Sequence, residues 1–289
     1  MKKIVCLILG GLVAVAAKSQ EWTLTDGFPE DFFVYSITAE GGTSYAVGYL
    51  IPPTASTLYS SANGGEDWEK VCDIPDLTAG QVLVSQGRIL MSGYALDGYV
   101  TFYSDDRGQT WTLLSDIPED FLVSSLFKSG NRLMAAGSLT NQGLVQKGAV
   151  YISADNGTSW TRKDLPEEFQ AVTSAAALGN NMVVAGITSE GPVLVRTVDD
   201  GKTWELSDIS VPLITIAGVC STPEVLYLAG RKTDGTGTLL VSKDGGATFS
   251  QDDDLSGDVF VTGLFSGPDR LFLTAMDPDQ RSIVAYKEL

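Results

Sequence analysis

The sequence predicts an all-β, six-bladed β-propeller of four-stranded antiparallel blades, on the strength of three repeated patterns. An eight-residue pattern occurs five times, and a small residue followed by glycine or alanine occurs six times, both with a period of about 45 residues. A third pattern, proline followed by two acids and phenylalanine, precedes three of the units. Repeats of about 40 to 50 residues with four short strands each are typical of propeller blades.

The eight-residue pattern predicts a hairpin turn, and its copies are named the octapeptide hairpins. They cover residues 61–68, 104–111, 153–160, 197–204 and 242–249. The third residue of each copy has a side chain that can accept hydrogen bonds from backbone N–H groups further along the turn. We therefore interpret these side chains as structural groups and not as metal ligands or catalytic acids. They are Asn63, Asp106, Asp155, Asp199 and Asp244.

The other two patterns mark further strands of each unit. The small residue and its glycine or alanine end apolar runs at 47–48, 92–93, 136–137, 185–186, 229–230 and 274–275. The proline turns lie at 29–32, 118–121 and 166–169, with looser versions at 75–76 and 256–258. In the third unit these marks predict strands near 122–127, 132–136, 149–152 and 160–163.

The sixth unit needs the N-terminal segment to be complete. Its predicted strands, near 259–264, 271–274 and 282–286, are followed by Leu289 with no octapeptide hairpin and no fourth strand. Residues 22–32 match residues 111–121 in sequence, which makes Trp22 the sixth member of the aromatic series. We expect the N-terminal strand to close the last blade, so that the ring has no free edge.

The first 19 residues have the features of a signal peptide. Lys2 and Lys3 precede an apolar run from 4 to 17 that is too short to span a bilayer, and Ala17-Lys18-Ser19 before Gln20 offers a cleavage site with small residues at its first and third positions. We expect an exported protein, periplasmic, cell-surface or secreted, whose propeller is residues 20–289. Removing residues 1–19 takes away three lysines and no acid, which changes the net charge from −17 to −20.

The composition excludes several classes of function. The chain has no histidine, which excludes Ser-His-Asp and Cys-His catalysis and histidine-ligated zinc or haem. It has 36 Asp+Glu against 19 Lys+Arg, an excess that disfavours nucleic acid and anionic lipid as partners. We expect no cofactor, no bound metal, no membrane span and a monomer, with Cys72 and Cys220 as buried, unpaired thiols.

The octapeptides resemble the Asp-box, or BNR, repeat, which reads S/T-x-D-x-G-x-T/S-W/F. Sialidases, several secreted glycosidases, sortilin-type receptors and photosystem II assembly factors share this repeat. The resemblance covers essentially the whole predicted mature chain, with departures at Asn63, Asp67 and Phe249. It implies a sialidase-like propeller in which the octapeptide lies between the third and fourth strands, away from the usual active face. Members of this family do unrelated things on one scaffold, so the resemblance implies a fold more than a function.

The residues that sialidases use for catalysis are not expected to assemble here. Sialidases begin with an Arg-Ile-Pro-like motif and hold the substrate carboxylate with three arginines, and this chain has no Arg-Ile-Pro. Of its eight arginines, Arg231 and Arg281 are predicted on the active face, and Arg88, Arg132 and Arg270 on the opposite side. We therefore do not expect sialidase activity.

The candidate ligand-binding residues belong to two classes of segment. Segments that enter the innermost strands predict an acidic rim at the mouth of the channel, and loops between the second and third strands add further candidates. The rim acids are Glu30, Asp31, Asp76, Glu119, Asp120, Glu167, Glu168 and Asp258, and the loop candidates are Tyr94 and Arg231. Such a rim could bind a cation or a basic partner, and acids also occur at turns for structural reasons alone.

These observations predict an exported, non-catalytic binding or scaffolding propeller that recognises a glycan or a protein. The alternative is a glycoside hydrolase that uses rim carboxylates such as Asp31, Asp120 or Glu168. Paired acids flanked by exposed aromatic rings would favour the hydrolase. Apolar patches on one face without convergent polar groups would favour protein binding.

Overall fold

The computed structural model describes residues 22–50, 55–74, 76–141, 144–255, 259–277 and 279–289. The described residues form six sheets, each with four antiparallel strands, and this confirms the predicted all-β, six-bladed propeller. One sheet has an additional two-residue strand that pairs in parallel with its outermost strand. The predicted signal peptide and Asp258 lie outside the described residues.

The strands, numbered in chain order, form four layers from the centre of the ring outward. The innermost strands of blades 1 to 6 are β2 (Phe32–Glu40), β6 (Thr78–Ser85), β10 (Phe121–Ser129), β14 (Ala171–Leu178), β19 (Leu213–Ser221) and β23 (Phe260–Ser266). The second strands are β3 (Thr43–Leu50), β7 (Arg88–Ala95), β11 (Arg132–Asn141), β15 (Asn181–Thr188), β20 (Leu226–Lys232) and β24 (Arg270–Met276).

The two outer layers complete each blade. The third strands are β4 (Ser56–Ser61), β8 (Gly98–Ser104), β12 (Leu144–Ser153), β16 (Gly191–Thr197), β21 (Gly237–Ser242) and β25 (Ser282–Glu288). The fourth strands are β5 (Glu69–Ile74), β9 (Thr112–Leu113), β13 (Thr161–Asp164), β17 (Glu205–Leu206), β22 (Thr248–Leu255) and, for blade 6, β1 (Thr23–Leu24). The additional parallel strand of blade 5 is β18 (Asp208–Ile209).

The ring closes as the sequence predicts. Strand β1 pairs with β25, where Thr23 lies opposite Tyr286 and Leu24 opposite Ala285. The innermost strands contact one another in chain order, and β23 contacts β2. Arg270 strengthens this last contact, since its guanidinium donates to the backbone oxygen of Gly64 (2.8 Å) in blade 1.

Arginines link blades in the same way elsewhere in the ring. Arg88 donates to the backbone oxygen of Asn156 (2.9 Å), in the octapeptide hairpin of the next blade. Arg132 forms an ion pair with Asp200 (2.7 Å), again in the hairpin of the following blade. A guanidinium suits this position because its fixed fork of N–H donors can bond to carbonyl and carboxylate oxygens together.

The apolar core is divided among the interfaces between blades. Buried apolar residues form six clusters, and each combines side chains from two neighbouring blades. Phe127 and Met134 of blade 3, for example, pack with Val172 and Met182 of blade 4. Each blade is therefore stabilised mainly by burial against its neighbours.

Each innermost strand has a β-bulge at the equivalent position. The bulged residues are Tyr35, Gly80, Ser124, Thr173, Ala217 and Thr262. A serine follows the bulge in three blades, and its hydroxyl bonds to the backbone of the next innermost strand; Ser174, for example, accepts a hydrogen bond from the N–H of Val219 (3.0 Å). The bulge thus re-aims a polar side chain towards the neighbouring blade.

The bulge also explains the small residue and glycine on the second strand. Gly48 and Gly137 pair with the residues just before the bulges of blades 1 and 3. A Cβ atom on either glycine would lie 2.0 Å from a backbone carbonyl oxygen, that of Phe33 or that of Leu122. Glycine is required there because no side chain fits so close to the backbone.

We expect Gly137→Ala to lower the free energy of unfolding by about 3 kcal/mol, because the bulge must shift to relieve the contact. Gly80→Ala is the matched control, since a Cβ atom there would lie 3.8 Å from its nearest neighbour, the backbone oxygen of Ser92. Urea unfolding followed by tryptophan fluorescence measures both. Equal destabilisation by the two variants would contradict this account of the glycine.

Candidate functional site

The chain direction assigns the loops to two faces. The upper face consists of the segments that enter the innermost strands and the loops between second and third strands. The lower face consists of the turns between first and second strands and the octapeptide hairpins. The described rim acids, Tyr94 and Arg231 belong to the upper face, and the structural turn residues belong to the lower face.

The octapeptide hairpins are held together by their polar side chains. In the third copy, Asp155 Oδ1 accepts hydrogen bonds from the N–H of Ser159 (2.9 Å) and the hydroxyl of Ser153 (2.8 Å). Its Oδ2 accepts from the hydroxyl of Ser159 (2.6 Å). Hydrogen bonds from the hydroxyl and N–H of Ser159 and the hydroxyl of Ser153 lower the pKa of Asp155 to about 2.

The same bonds recur in three other hairpins. Thr110 and Thr203 donate from hydroxyl and backbone to Asp106 and Asp199, and these bonds lower the pKa of both carboxyls to about 2. At Asp244 burial alone would raise the pKa, and the equivalent hydrogen bonds lower it to about 2. Each of these aspartates therefore stabilises its own turn by accepting hydrogen bonds.

The first hairpin departs from the pattern at two positions that are coupled. Asn63 Nδ2 donates to Asp67 Oδ2 (3.0 Å), where the other hairpins have a hydroxyl that donates to an aspartate. Asn63 Oδ1 still accepts from the N–H of Asp67 (3.1 Å) and the hydroxyl of Ser61 (2.7 Å). Donor and acceptor have exchanged places, and the hydrogen bond is kept.

The third departure, Phe249, lies in the blade with the additional strand. Ile209 of β18 pairs with Phe249, which is buried. Trp68 and Trp160, at the same position in other hairpins, donate from Nε1 to a backbone oxygen of the hairpin. The side chain of phenylalanine has no N–H group, so no buried side-chain donor needs a hydrogen-bond partner beneath β18.

The acidic turns of the upper face are anchored by a buried phenylalanine. The N–H of Phe32 donates to the oxygen of Pro29 (3.0 Å), and equivalent turns join 118–121 and 166–169. The two acids of each turn are exposed at its tip; they are Glu30, Asp31, Glu119, Asp120, Glu167 and Glu168. The turn itself does not need their carboxyl groups, because the anchoring phenylalanine is buried and the hydrogen bond is made by the backbone.

Two predicted site residues meet in a cleft between blades 1 and 2. This cleft, of about 330 Å³, is lined by Tyr49, Ser56, Asp76, Thr78, Tyr94 and Leu96, among others. Asp76 is exposed and has a φ of 59°, a left-handed conformation that aspartate adopts more readily than most residues. The structure therefore places Asp76 and Tyr94 in one cleft. The other acidic turns, in the segments that enter blades 1, 3 and 4, do not line this cleft.

The tyrosine rings at the cleft are held by other aromatic rings. Tyr49 stacks on Phe33 (6.0 Å between centroids) and contacts Tyr35, with the two hydroxyls 3.3 Å apart. Tyr94 packs edge-to-face on Tyr99 at 5.4 Å. Burial and the hydrogen bond to Tyr49 raise the pKa of Tyr35 to about 12, so its hydroxyl stays protonated. Both lining rings thus pack against neighbouring aromatic rings.

Sequence reasoning missed an apolar component of the upper face. Every blade exposes at least one large apolar side chain there, and these residues are named the apolar ring. They are Tyr35, Leu50, Tyr94, Leu96, Leu144, Val145, Ile187, Ile214 and Phe260. The signal in the sequence was weak but present, since Leu96 and Leu144 are apolar residues in segments predicted as loops, where polar residues are usual.

The basic residues of the upper face are held locally. Arg231 donates to the backbone oxygen of Gly235 (2.7 Å) and lies over the ring of Phe260, 5.6 Å from its centroid. Arg281 pairs with Asp277 (2.8 Å) and with Asp279 (2.8 Å). The other six arginines are in lower-face turns, hairpins or strands, so three arginines do not converge on this face.

The central channel holds a second cavity, of about 700 Å³, which extends to the lower-face turns. Its described lining is uncharged apart from Lys128, which forms an ion pair with Glu40. Burial alone would raise the pKa of Glu40, but hydrogen bonds from Lys128 and from the backbone of Gly87 and Gln86 lower it. The rim acids do not line this cavity, so the channel wall and the predicted rim are separate features.

Metal ligands and disulfides were also sought among the described residues. No group of three or more His, Cys, Asp or Glu side chains there is placed to hold a metal ion. Cys72 and Cys220 are unpaired, and burial raises the pKa of both thiols. Cys220 is buried as predicted, and Cys72 is only half-buried because it lies towards the outer edge of blade 1. Within the described ranges, no helix has the length and apolar character needed to cross a membrane.

Comparisons with known proteins confirm the resemblance to Asp-box propellers. The BNR/Asp-box repeat matches residues 102–113, which contain the second octapeptide hairpin. The Hadza microbial sialidase Hz136 has a TM-score of 0.66 and 14% identity over 89% of this chain and 66% of its own. A protein of unknown function from Dyadobacter fermentans has a TM-score of 0.65 and 15% identity over 92% of this chain and 98% of its own.

The likeness extends to a structure that was solved with a peptide bound. The structure of YCF48 bound to D1 peptide has a TM-score of 0.52 and 16% identity over 96% of this chain and 81% of its own. This chain spans 54% of the Trypanosoma rangeli sialidase, so it matches only part of such enzymes. No curated protein matches the sequence. At these identities the likeness establishes the sialidase-like propeller fold.

We expect Asn63→Asp to destabilise the first hairpin by about 1 kcal/mol, because it places two carboxylates where a hydrogen bond now lies. Asp67→Thr alone should cost less, since a hydroxyl can accept from the amide of Asn63. The double variant should restore the aspartate–threonine pair of the other hairpins and recover the stability of the parent chain. A double-mutant cycle by urea unfolding measures the coupling, and strictly additive effects would contradict the exchange of roles.

We expect the free energy of unfolding to fall as the pH drops from about 4 to about 2. The four hairpin aspartates have folded pKa values of about 2, below the ordinary value of 3.8, so they stabilise the fold above pH 4 and lose this contribution on protonation. Asp155→Asn should flatten this dependence, because it removes one of the four carboxyl groups whose pKa is lowered on folding. An unchanged acid slope in Asp155→Asn would show that the hairpin carboxylates do not control acid stability.

Proposed function

We propose that this Asp-box β-propeller is an exported, non-catalytic binding module whose upper face docks onto a protein partner. The observation that carries the proposal is the apolar ring. Leu96 and Leu144 are 85% and 70% exposed, and each of the other blades adds at least one apolar side chain to the same face. Large apolar side chains that are exposed together on one face of a folded domain are typical of an interaction site.

The charges of this face indicate what kind of protein would bind. The exposed acids of blades 1 to 4 lie on the same face as the apolar ring, whereas Arg231 and Arg281 have local partners. Protein interfaces commonly combine apolar side chains with polar and charged ones. The net charge of −17 favours a partner whose docking surface is basic, since complementary potentials speed association and disfavour wrong partners.

Two further observations support binding over hydrolysis. Among the described residues that line the cleft, Asp76 is the only acid, whereas glycoside hydrolysis uses a pair of carboxyl groups. YCF48, a propeller of similar fold, has been solved with a peptide bound. The predicted signal peptide at residues 1–19 supports export.

A glycan is the second candidate ligand, because Tyr49, Tyr94 and Asp76 meet in one cleft. Sugar rings bind by packing on aromatic side chains and by hydrogen bonds to carboxylates. The cleft belongs to two blades only, while the apolar ring runs through all six. For this reason we place protein binding first.

The test compares two four-site variants that remove equal numbers of apolar side chains. One combines Leu144→Ser, Ile187→Ser, Ile214→Ser and Phe260→Ser on the upper face. The control combines Val71→Ser, Leu113→Ser, Val198→Ser and Leu206→Ser, exposed residues outside that face. Each purified variant is immobilised and exposed to cell-envelope extract of the producing organism, and the captured protein is identified and titrated.

We expect the upper-face variant to lose at least about tenfold in affinity for the captured partner while the control retains it. Circular dichroism and melting temperature verify that both variants fold. Equal binding by the two variants would contradict docking through the upper face. Binding to a glycan array in the absence of any protein partner would favour the second candidate instead.

A further inference from the structure

We infer that the cleft between blades 1 and 2 receives a basic side chain, arginine or lysine, from the docking segment of the partner. This inference rests on the proposed function and names the chemistry that one part of the upper face recognises. It is carried by the meeting of two tyrosine rings with a single carboxylate in a cleft of about 330 Å³.

The aromatic rings suit a cation. A guanidinium or ammonium group is attracted to the face of a tyrosine ring within about 6 Å of its centroid. Tyr49 is held by Phe33 and by its hydroxyl contact with Tyr35, and Tyr94 is held by Tyr99. Because neighbouring rings hold both tyrosines, binding would require little further ordering of the protein.

Asp76 supplies the charge that makes the site selective. Asp76 is exposed, while the next residue, Leu77, is buried, and the N–H of Ala79 donates to the hydroxyl of Ser56 (2.7 Å). The described lining of the cleft contains no lysine or arginine that could neutralise this carboxylate. A partner's guanidinium could therefore make a charge-assisted hydrogen bond to it.

The surroundings of the cleft favour a long basic side chain over a neutral one. Leu96 lines the cleft and is largely exposed, so it can contact the methylene stem of an arginine or lysine.

The test uses N-acetyl-argininamide as the probe and N-acetyl-citrullinamide, its uncharged analogue of nearly the same shape, as the control. Each is titrated into the ¹⁵N-labelled chain and followed by backbone amide shifts. We expect argininamide to shift the amides of Leu77, Thr78 and Ala95, and to bind at least about tenfold more tightly than citrullinamide. The affinity should fall with added salt.

Two charge-matched variants separate the cleft from the general acidity of the face. Asp76→Asn should weaken argininamide binding about tenfold, whereas Asp97→Asn, in the neighbouring loop, should change it less than twofold. Equal binding of the two probes, shifts confined to residues outside the cleft, or an unchanged affinity in Asp76→Asn would each overturn the inference.

The four upper-face substitutions of the docking test lie outside this cleft, so the two proposals fail separately. If capture of a partner depends on the apolar ring but argininamide does not bind selectively, only the inference about a basic side chain in the cleft is wrong. If argininamide binds selectively but capture is unaffected by the apolar-ring substitutions, docking through that ring is wrong and the cleft is a separate site.

Discussion

A four-stranded blade cannot bury both of its own faces, and the rest of this structure depends on the contact between neighbouring blades. The six buried clusters lie at these interfaces, and the innermost strands meet through bulged segments and serine hydroxyls. The last interface is as necessary as the others, and it combines the pairing of β1 with β25 and the reach of Arg270 into blade 1. A repeat fold of this kind is stabilised by neighbour contacts more than by any single repeat.

The two faces of the ring differ because polar contacts between blades use side chains of the lower face. On the lower face, hairpin aspartates accept hydrogen bonds within their own turns, and Arg88 and Arg132 bond to the hairpins of following blades. On the upper face the turns are closed by backbone hydrogen bonds and buried phenylalanines, so the acids at their tips remain exposed. Loops whose side chains are not needed for the fold can carry recognition.

Features that depend on local chemistry could be read from the sequence, and those that depend on the approach of distant segments could not. The hairpins were predictable because an Asp, a glycine and a hydroxyl within eight residues make one turn. Asp76 and Tyr94 were predictable as upper-face residues, but their meeting with Tyr49 depends on how blade 1 packs against blade 2. The exposure of Ile187 and Ile214 was not predictable, because alternation along a strand does not show what covers each side.

The sequence by itself determined the repeat, the number of blades and the need for the N-terminal segment to complete the last one. Each follows from patterns spaced about 45 residues apart and from turn chemistry that works within a few residues. Only the tertiary structure decided which side chains meet across blades, such as Arg132 with Asp200 and Tyr49 with Asp76. These meetings are set by the angle and spacing at which whole blades pack, and no single repeat contains that information.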